Sequence, residues 1–425
     1  MLPIRNCVRW CLRFRVKYVA GVCLGLFILD YFGAFTHYFE ADFYKEFNYP
    51  LNGDVLKYAN QVRQGKSPDI DPINLYNYSF KYNCKQKCWN DDDERFLVPK
   101  LVFIVKSAMR NVNKRIAIRH SWGFERRFSD ILIRTVFVLG QTAEQDEELQ
   151  AQIDEEQQKF KDIVQVDFVD TYFNNTIKTM MGMKWVVTYC PKSKFYMFVD
   201  DDYYVSAKNV LRFVRNPVNF PEYLEEADET LRKLARRLSN SDMLNNSVVN
   251  VHEMKNIVQN VNSVNNKDLV KTIQKFINAE EQRPKNARKL MQMQLADDVK
   301  LFSGFVFNSA PHRHKCSKWH VSLKEYAWHM WPPYVTAGAF ILSREALHRM
   351  YYVSMYTKHF RFDDIYLAIV ALKADIEPLH SEEFYFYKAP YQGPHNYRYV
   401  IATHGYDDPL DILKTWNECR SAGHA

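Results

Sequence analysis

Three adjacent aspartates, Asp200, Asp201 and Asp202, end the apolar run 195–199 in the segment FYMFVDDDYYVS. Adjacent carboxylates repel one another unless a cation or water offsets their charge. Oxygen ligands so spaced suit a hard divalent ion, which can in turn hold a substrate diphosphate. The alternative is a solvated acidic turn. Asp91, Asp92, Asp93 and Glu94 read as one, because they follow CKQKCWN with no strand before them. A second acidic pair, Asp363 and Asp364, starts RFDDIYLAIVALK, where Ile365, Ala368, Ile369 and Leu372 share one helical face. Acidic residues are favoured at a helix N-terminus, so this pair reads as capping or as a general base facing a site.

The elements that must position these carboxylates are legible in the periodicity. Strand-like runs recur at 101–105, 135–139, 163–168 and 195–199, with helical segments at 113–121, 142–160 and 176–189 between them. This alternation predicts an α/β fold, a mostly parallel sheet flanked by helices. Ligands bind such sheets beyond the carboxyl ends of the strands, the place Asp200, Asp201 and Asp202 occupy. From about 217 to 300 the chain has no glycine or cysteine and is rich in Asn, Gln, Lys and Glu. LRKLARRLSNSDML and KDLVKTIQKFINAE have helical spacing, so this reads as an inserted excursion, partly helical and partly disordered. The α/β pattern resumes at Leu301, with a strand in PPYVTAGAFILS and a helix over 344–354.

The net charge is +7, but Arg5, Arg9, Arg13, Arg15 and Lys17 crowd the first seventeen residues. The rest is near neutral, which argues against a nucleic-acid surface. The 27 tyrosines and 29 phenylalanines suit a carbohydrate-facing or an aromatic-rich core equally. Residues 18–39 are mostly apolar and near the length of about 20 that spans a bilayer. Asp30 and His37 weaken that stretch, whose strongest part is 18–29. Basic residues precede it and no small-residue cleavage site follows. The expectation is a type II signal anchor: a cytosolic tail 1–17, a span 18–39, a lumenal stem 40–98 and a catalytic domain 99–425. Sequons at Asn77, Asn174 and Asn245 fit lumenal placement. Cys84, Cys88, Cys190, Cys316 and Cys419 follow the anchor, and spacing suggests a Cys84–Cys88 bridge. A zinc site at Cys84 and Cys88 lacks a second ligand pair.

In order and spacing, these pieces resemble the β-1,3-glycosyltransferases of glycosyltransferase family 31. The matching segments are RIAIRHSWG (115–123), DTYFNNTIKTMMGMKW (170–185), FVDDDYYVS (198–206), KWHVSLKEY (318–326), WPPYVTAGAFILS (331–343), FDDIYLAIV (362–370) and the histidine of IATHGY (401–406). They cover roughly 99–216 and 300–425. The resemblance implies a GT-A fold, a Golgi membrane protein of type II topology and a UDP-sugar donor. Within the family the implied donor is UDP-GlcNAc and the implied acceptor the mannose of mannosyl-glucosylceramide. Other members transfer galactose or act on glycoproteins.

The resemblance also assigns residues. Mn²⁺ would be held by Asp202 and His404, with Asp200 and Asp201 contacting the nucleotide or supporting the loop; an imidazole beside carboxylates suits Mn²⁺ better than Mg²⁺. Pattern alone would leave His404 a surface histidine. Asp364, with Asp363 beside it, would take the proton of the acceptor 3-hydroxyl in an inverting transfer with no covalent intermediate. Arg115, Arg119 and Trp122 match the donor-site motif, where a guanidinium pairs with phosphate and an aromatic packs on a ring. By pattern alone they are a basic helix face. Lys178 reads as phosphate-facing or solvated. Lys318, Trp319 and Tyr334 would shape the sugar sites, although Trp319 and Trp331 also read as core aromatics. A rival from another class is an inactive lumenal sugar-binding protein.

Overall fold

The structure is a computed structural model that describes residues 3–49, 53–144, 146–227, 229–230 and 295–425. In chain order the strands are β1 (Phe80–Tyr82), the hairpin of β2 (Trp89–Asn90) and β3 (Arg95–Phe96), β4 (Leu101–Lys106), β5 (Ile133–Gln141), β6 (Ile163–Val169), β7 (Phe195–Asp200), β8 (Tyr204–Val205), β9 (Phe302–Phe307), β10 (Tyr334–Ser343), β11 (Leu379–His380), β12 (Phe384–Tyr385) and β13 (Ala402–Thr403). The central sheet has the order β1-β6-β5-β4-β7-β10-β9-β11. Its middle, from β6 to β7, is parallel as the alternating pattern predicts. β10 runs antiparallel to both β7 and β9. Every residue of β4 is buried, as expected of a strand covered on both faces. Alternate side chains serve two cores: Val102 and Ile104 face one, Leu101, Phe103 and Val105 the other.

The helices are α1 (Pro3–Tyr31), α2 (Phe43–Glu46), α3 (Val55–Arg63), α4 (Val112–His120), α5 (Glu147–Phe160), α6 (Asn175–Tyr189), α7 (Ala207–Phe213), α8 (Arg344–Ser354), α9 (Asp363–Lys373) and α10 (Pro409–Ser421). Buried residues of α6, α8 and α9 join the first core, those of α4, α7 and α10 the second. No helix among the described residues is long and apolar enough to cross a membrane.

Three sequence expectations change here. The segment expected as a stem is folded onto the domain. Arg63 forks onto Glu345 at 2.8 Å, the Tyr76 hydroxyl meets Ser354 Oγ at 3.0 Å, and β1 extends the central sheet beside β6. Within it α3 lays Val55 and Ala59 into the first core, and Tyr76 bonds the Tyr366 hydroxyl 290 residues away. The Cys84–Cys88 bridge is not formed: Cys88 bonds Cys190, with their Cα atoms 5.1 Å apart. The single turn 85–87 between the two cysteines leaves Cys84 in a left-handed conformation, its thiol donating to the carbonyl of Ile163. The insertion is also shorter than 217–300. Phe220 and Val299 are buried in the second core, and the Tyr223 hydroxyl donates to the carbonyl of Arg212 at 2.9 Å. Both helical segments expected in it fall on 231–294, outside the described residues. The acidic run 91–94 is an exposed turn, as read, but it joins β2 to β3, so a short strand does precede it.

Candidate active site

The register of two parallel strands builds the centre of the site. β4 and β7 pair so that Lys106 lies opposite Asp200, each the last residue of an apolar run. Lys106 is buried, and its Nζ lies 3.0 Å from Asp200 Oδ1, 3.2 Å from Asp363 Oδ2 and 2.9 Å from the carbonyl of Ala337. One cation therefore ties the end of β7 to the start of α9. Burial opposes its charge, but the two carboxylates outweigh burial and raise its pKa above the usual lysine range. Asp200 is pushed up to about 6, chiefly by burial, with the neighbouring Asp202 and Asp363 adding to it.

Asp201 supports the loop. Its Oδ2 accepts from Ser107 Oγ at 2.6 Å and Asn111 Nδ2 at 2.9 Å. Asp202 meets His404, whose Nε2 is 3.2 Å from Oδ2. The antiparallel pairing of β8 with β13 makes this contact, setting Thr403 against Tyr204. Burial raises the Asp202 pKa, but His404 and Lys114 outweigh it and hold the group below the usual carboxylate range. The same hydrogen bond raises His404.

Asp202 Oδ1 is buried without a hydrogen-bond partner. Such an orphan invites a ligand. With the imidazole of His404 it gives a nitrogen–oxygen donor set that fits a divalent ion such as Mn²⁺. Among the described residues no group of three or more His, Cys, Asp and Glu side chains is placed to hold a metal. A metal held by Asp202 and His404 would therefore have two protein ligands and need further ones, such as diphosphate oxygens.

Asp364 opens onto a cleft of about 340 Å³ whose walls include Tyr172, Trp319, Tyr334, Arg361 and Phe386. The helix N-cap is Phe362, so neither aspartate of the pair is the cap. Asp363 instead engages Lys106 and Thr179, the latter at 3.2 Å. Asp364 Oδ1 accepts only the N–H of Ile365, at 2.7 Å, among the bonds resolved for it. Burial, then the charge of Asp363, pushes the Asp364 carboxyl up to about 7. A carboxylate tuned this close to neutral pH is suited to proton transfer. Trp319 is 45 % exposed and donates through Nε1 to the Tyr172 hydroxyl at 3.1 Å. Lys318 Nζ lies 4.5 Å from the Trp319 ring centre and 5.6 Å from that of Tyr172. The Tyr334 hydroxyl is 3.0 Å from Ser309 Oγ. Aromatic faces with polar rims suit a sugar ring. Trp331 is buried, as a core aromatic.

The remaining expected residues are placed elsewhere. Arg115 is fully buried and forks onto Glu156, with Nε–Oε1 2.9 Å and Nη2–Oε2 2.7 Å. Its Nη1 and Nη2 also donate to the carbonyls of Ala108 and Met109. Arg119 forks onto Asp162 at 2.9 and 2.8 Å and stacks on Phe160. Trp122 is buried, its indole N–H donating to the carbonyl of Tyr203. The donor-facing reading of Arg115 and Trp122 is therefore corrected, since their polar atoms serve internal partners; Arg119 pairs inside the fold with Asp162 and Glu156, while its Nη1 is buried without a partner. Lys178 is neither solvated nor facing an open cleft, but pairs with Asp170 at 2.8 Å and donates to the carbonyl of Ser107. Asn77 is exposed, the Asn174 amide donates to the carbonyl of Val169, and Asn245 lies outside the described residues. The sequence reading missed Lys106, Arg361 and Tyr172. Lys106 had a signal, since LVFIVK ends in a charge just as FYMFVD does.

Comparison with known proteins then bears on what such a site does. The family model described as Galactosyltransferase matches residues 113–228 and 282–382. The chain is 37 % identical over 400 residues to the β-1,3-galactosyltransferase brn of Drosophila melanogaster, covering 94 % of each chain. It is 26 % identical over 353 residues to human β-1,3-galactosyltransferase 1, covering 83 % of this chain and 82 % of the relative. With chimpanzee β-1,3-galactosyltransferase 5 it is 27 % identical over 329 residues, 77 % of this chain and 84 % of the relative. The family match is interrupted between 228 and 282, inside the expected insertion.

Proposed function

Because the chain belongs to the galactosyltransferase family, and is thus a UDP-sugar-dependent β-1,3-glycosyltransferase, we propose an inverting transfer of N-acetylglucosamine from UDP-GlcNAc to the mannose of a glycosphingolipid core, mannosyl-glucosylceramide. The observation that carries the inverting mechanism is Asp364, held near neutral pKa on the cleft wall and linked to Asp200 at the end of β7 through its neighbour Asp363 and Lys106. As the acceptor 3-hydroxyl attacks the anomeric carbon, its proton passes to the Asp364 carboxylate and the sugar–phosphate bond breaks. The electron pair leaves with UDP. Lys106 and the Ser107 and Asn111 bonds fix the β7 end, so the site need not reorganise as charge develops there. A divalent ion bound by Asp202 and His404 would supply charge against the leaving diphosphate.

A second reading is transfer of galactose on a glycolipid or glycoprotein, favoured by the names of the relatives, all β-1,3-galactosyltransferases. The Cys88–Cys190 disulfide and the three sequons support a lumenal, Golgi placement with α1 as the membrane attachment. The deciding experiment offers the chain UDP-GlcNAc and UDP-galactose with mannosyl and galactosyl acceptors, and reads product linkage by mass analysis. GlcNAc in β1,3 linkage to mannose is expected. Exclusive galactose transfer selects the second reading, and no UDP release with any pair would leave a sugar-binding protein.

A further inference from the structure

Residues 30–49 do not hang free between α1 and the domain. Arg313, 2 % exposed, pairs through Nε with Glu40 Oε1 at 2.7 Å. Its Nη1 donates to the carbonyl of Val321 at 2.8 Å, and its Nη2 to those of Tyr326 and Trp328 at 2.9 and 3.1 Å. The Ala41 N–H donates to the carbonyl of Ala327 at 2.9 Å, and the His329 N–H to that of Ala41 at 3.1 Å. Lys315 reaches the end of α1 twice, by its N–H to the carbonyl of Tyr31 at 3.1 Å and by Nζ to Asp30 at 2.6 Å. Gly33 has φ +80°, and a Cβ there would lie 2.8 Å from both Cβ and the carbonyl oxygen of Arg313. Only glycine permits that approach. The loop so clamped carries His312 and Trp319 into the wall of the Asp364 cleft. The end of α1 is therefore bonded to the cleft rather than tethered to it.

The outer side of the clamp is aromatic. Tyr38, Phe39 and Tyr44 are 84 %, 75 % and 78 % exposed. Phe32, at 50 %, stands edge-on to His314. These rings continue into α1, whose Val19, Val22, Leu24 and Phe27 are also exposed. α1 is not apolar enough along its length to cross a membrane, but its exposed apolar side chains from Val16 to Leu29 favour an apolar surrounding. Tyrosine is enriched where a bilayer meets water, and an exposed apolar patch of this kind marks an interaction surface.

We propose that the face made by residues 32–44 and the loop 312–319 rests on a lipid bilayer, and holds the Asp364 cleft at the leaflet surface, where it meets the headgroup sugar of a membrane-embedded lipid. The headgroup part rests on the transfer reading above; the bilayer contact does not. The test uses the full chain reconstituted with phosphatidylcholine vesicles. Hydroxyl-radical footprinting read by mass spectrometry should show Tyr38, Phe39 and Tyr44 protected by vesicles, while Leu410 on α10, 70 % exposed, is unchanged. The Tyr38→Ser/Phe39→Ser variant should lose about tenfold in kcat/KM on a synthetic mannosyl lipid in vesicles, and nothing on a water-soluble mannoside. Equal losses on the two acceptors, or no footprint, would overturn the proposal. Protection that depends on protein concentration without vesicles would assign the face to a second copy, and overturn it too. If the unaltered chain transfers sugar to neither acceptor, the transfer reading fails while the footprint still decides the bilayer contact.

Discussion

Replacing Lys106 by methionine tests whether the two halves of the site are one electrostatic unit. The side chain fills similar space but removes the cation between Asp200 and Asp363. Each pair, near 3 Å, has a gross attraction of about 5 kcal/mol at an effective dielectric of 20. Desolvation offsets much of this, and breaking a buried pair costs about 3–5 kcal/mol net. Lys106 also lowers the Asp364 pKa. Without it the carboxyl should rise above its present value of about 7, by about one unit for the loss of a nearby charge. At pH 7 the ionised fraction then falls from about a half to about a tenth, roughly a fivefold loss of rate, recovered as pH rises past Asp364's new pKa. The assay is the pH profile of kcat/KM beside thermal unfolding. Lys106→Arg keeps the charge and should leave the acidic limb in place. A folded methionine variant with an unmoved acidic limb would refute the reasoning, as would a loss uniform across pH. Lys106 is here a positioning residue, and the profile separates that role from mere packing.

Asp202→Ala should abolish metal-dependent UDP binding in calorimetry, since it removes the orphaned Oδ1 and the partner of His404; unchanged binding would remove the pair from the donor site. Arg115→Met should cost about 1.5–3 kcal/mol in denaturant unfolding by removing the forked partner of buried Glu156, which keeps only Arg119 at 2.7 Å, with donor KM nearly unchanged; a large rise in KM without destabilisation would restore its donor role. The Cys88→Ser/Cys190→Ser variant should lose about 4–5 kcal/mol, the expectation for a loop of this length, whereas Cys84→Ser should lose far less. Equal losses would mean that the two sulfurs are interchangeable.

The parallel middle of the sheet was readable because its strands are short, mostly apolar runs alternating with helical segments, and two of them, LVFIVK and FYMFVD, stop at charges. α8 ran over the expected 344–354 because Ser343 caps it and its apolar face keeps helical period. What sequence could not show was pairing across distance. Arg115 and Arg119 looked free for phosphate because Glu156 and Asp162 lie about forty residues on, in another element. The segment 40–98 looked like a stem because its partners, such as Glu345, Ser354 and Tyr366, lie in elements 278 to 290 residues on. Lys106 needed the β4–β7 register before its role appeared, and Arg313 needed Glu40 from a segment read as spacer. His404 was assigned only through the family resemblance, and its place beside Asp202 depends on the pairing of β8 with β13.

The central claim is that Asp364 takes the acceptor proton, and Asp364→Asn tests it most directly. Asn keeps the shape and removes the base. The variant should also be more stable than the unaltered chain above pH 7: a carboxyl whose folded pKa is raised favours folding below its unfolded value, near 4, and that advantage is lost as pH rises through about 7. The measurement is single-turnover transfer with each donor, beside calorimetric Mn²⁺–UDP affinity. A loss of about 10²–10⁴-fold in transfer with UDP affinity retained is the predicted result. Transfer within about tenfold of the unaltered chain would contradict it and move the base elsewhere in the cleft.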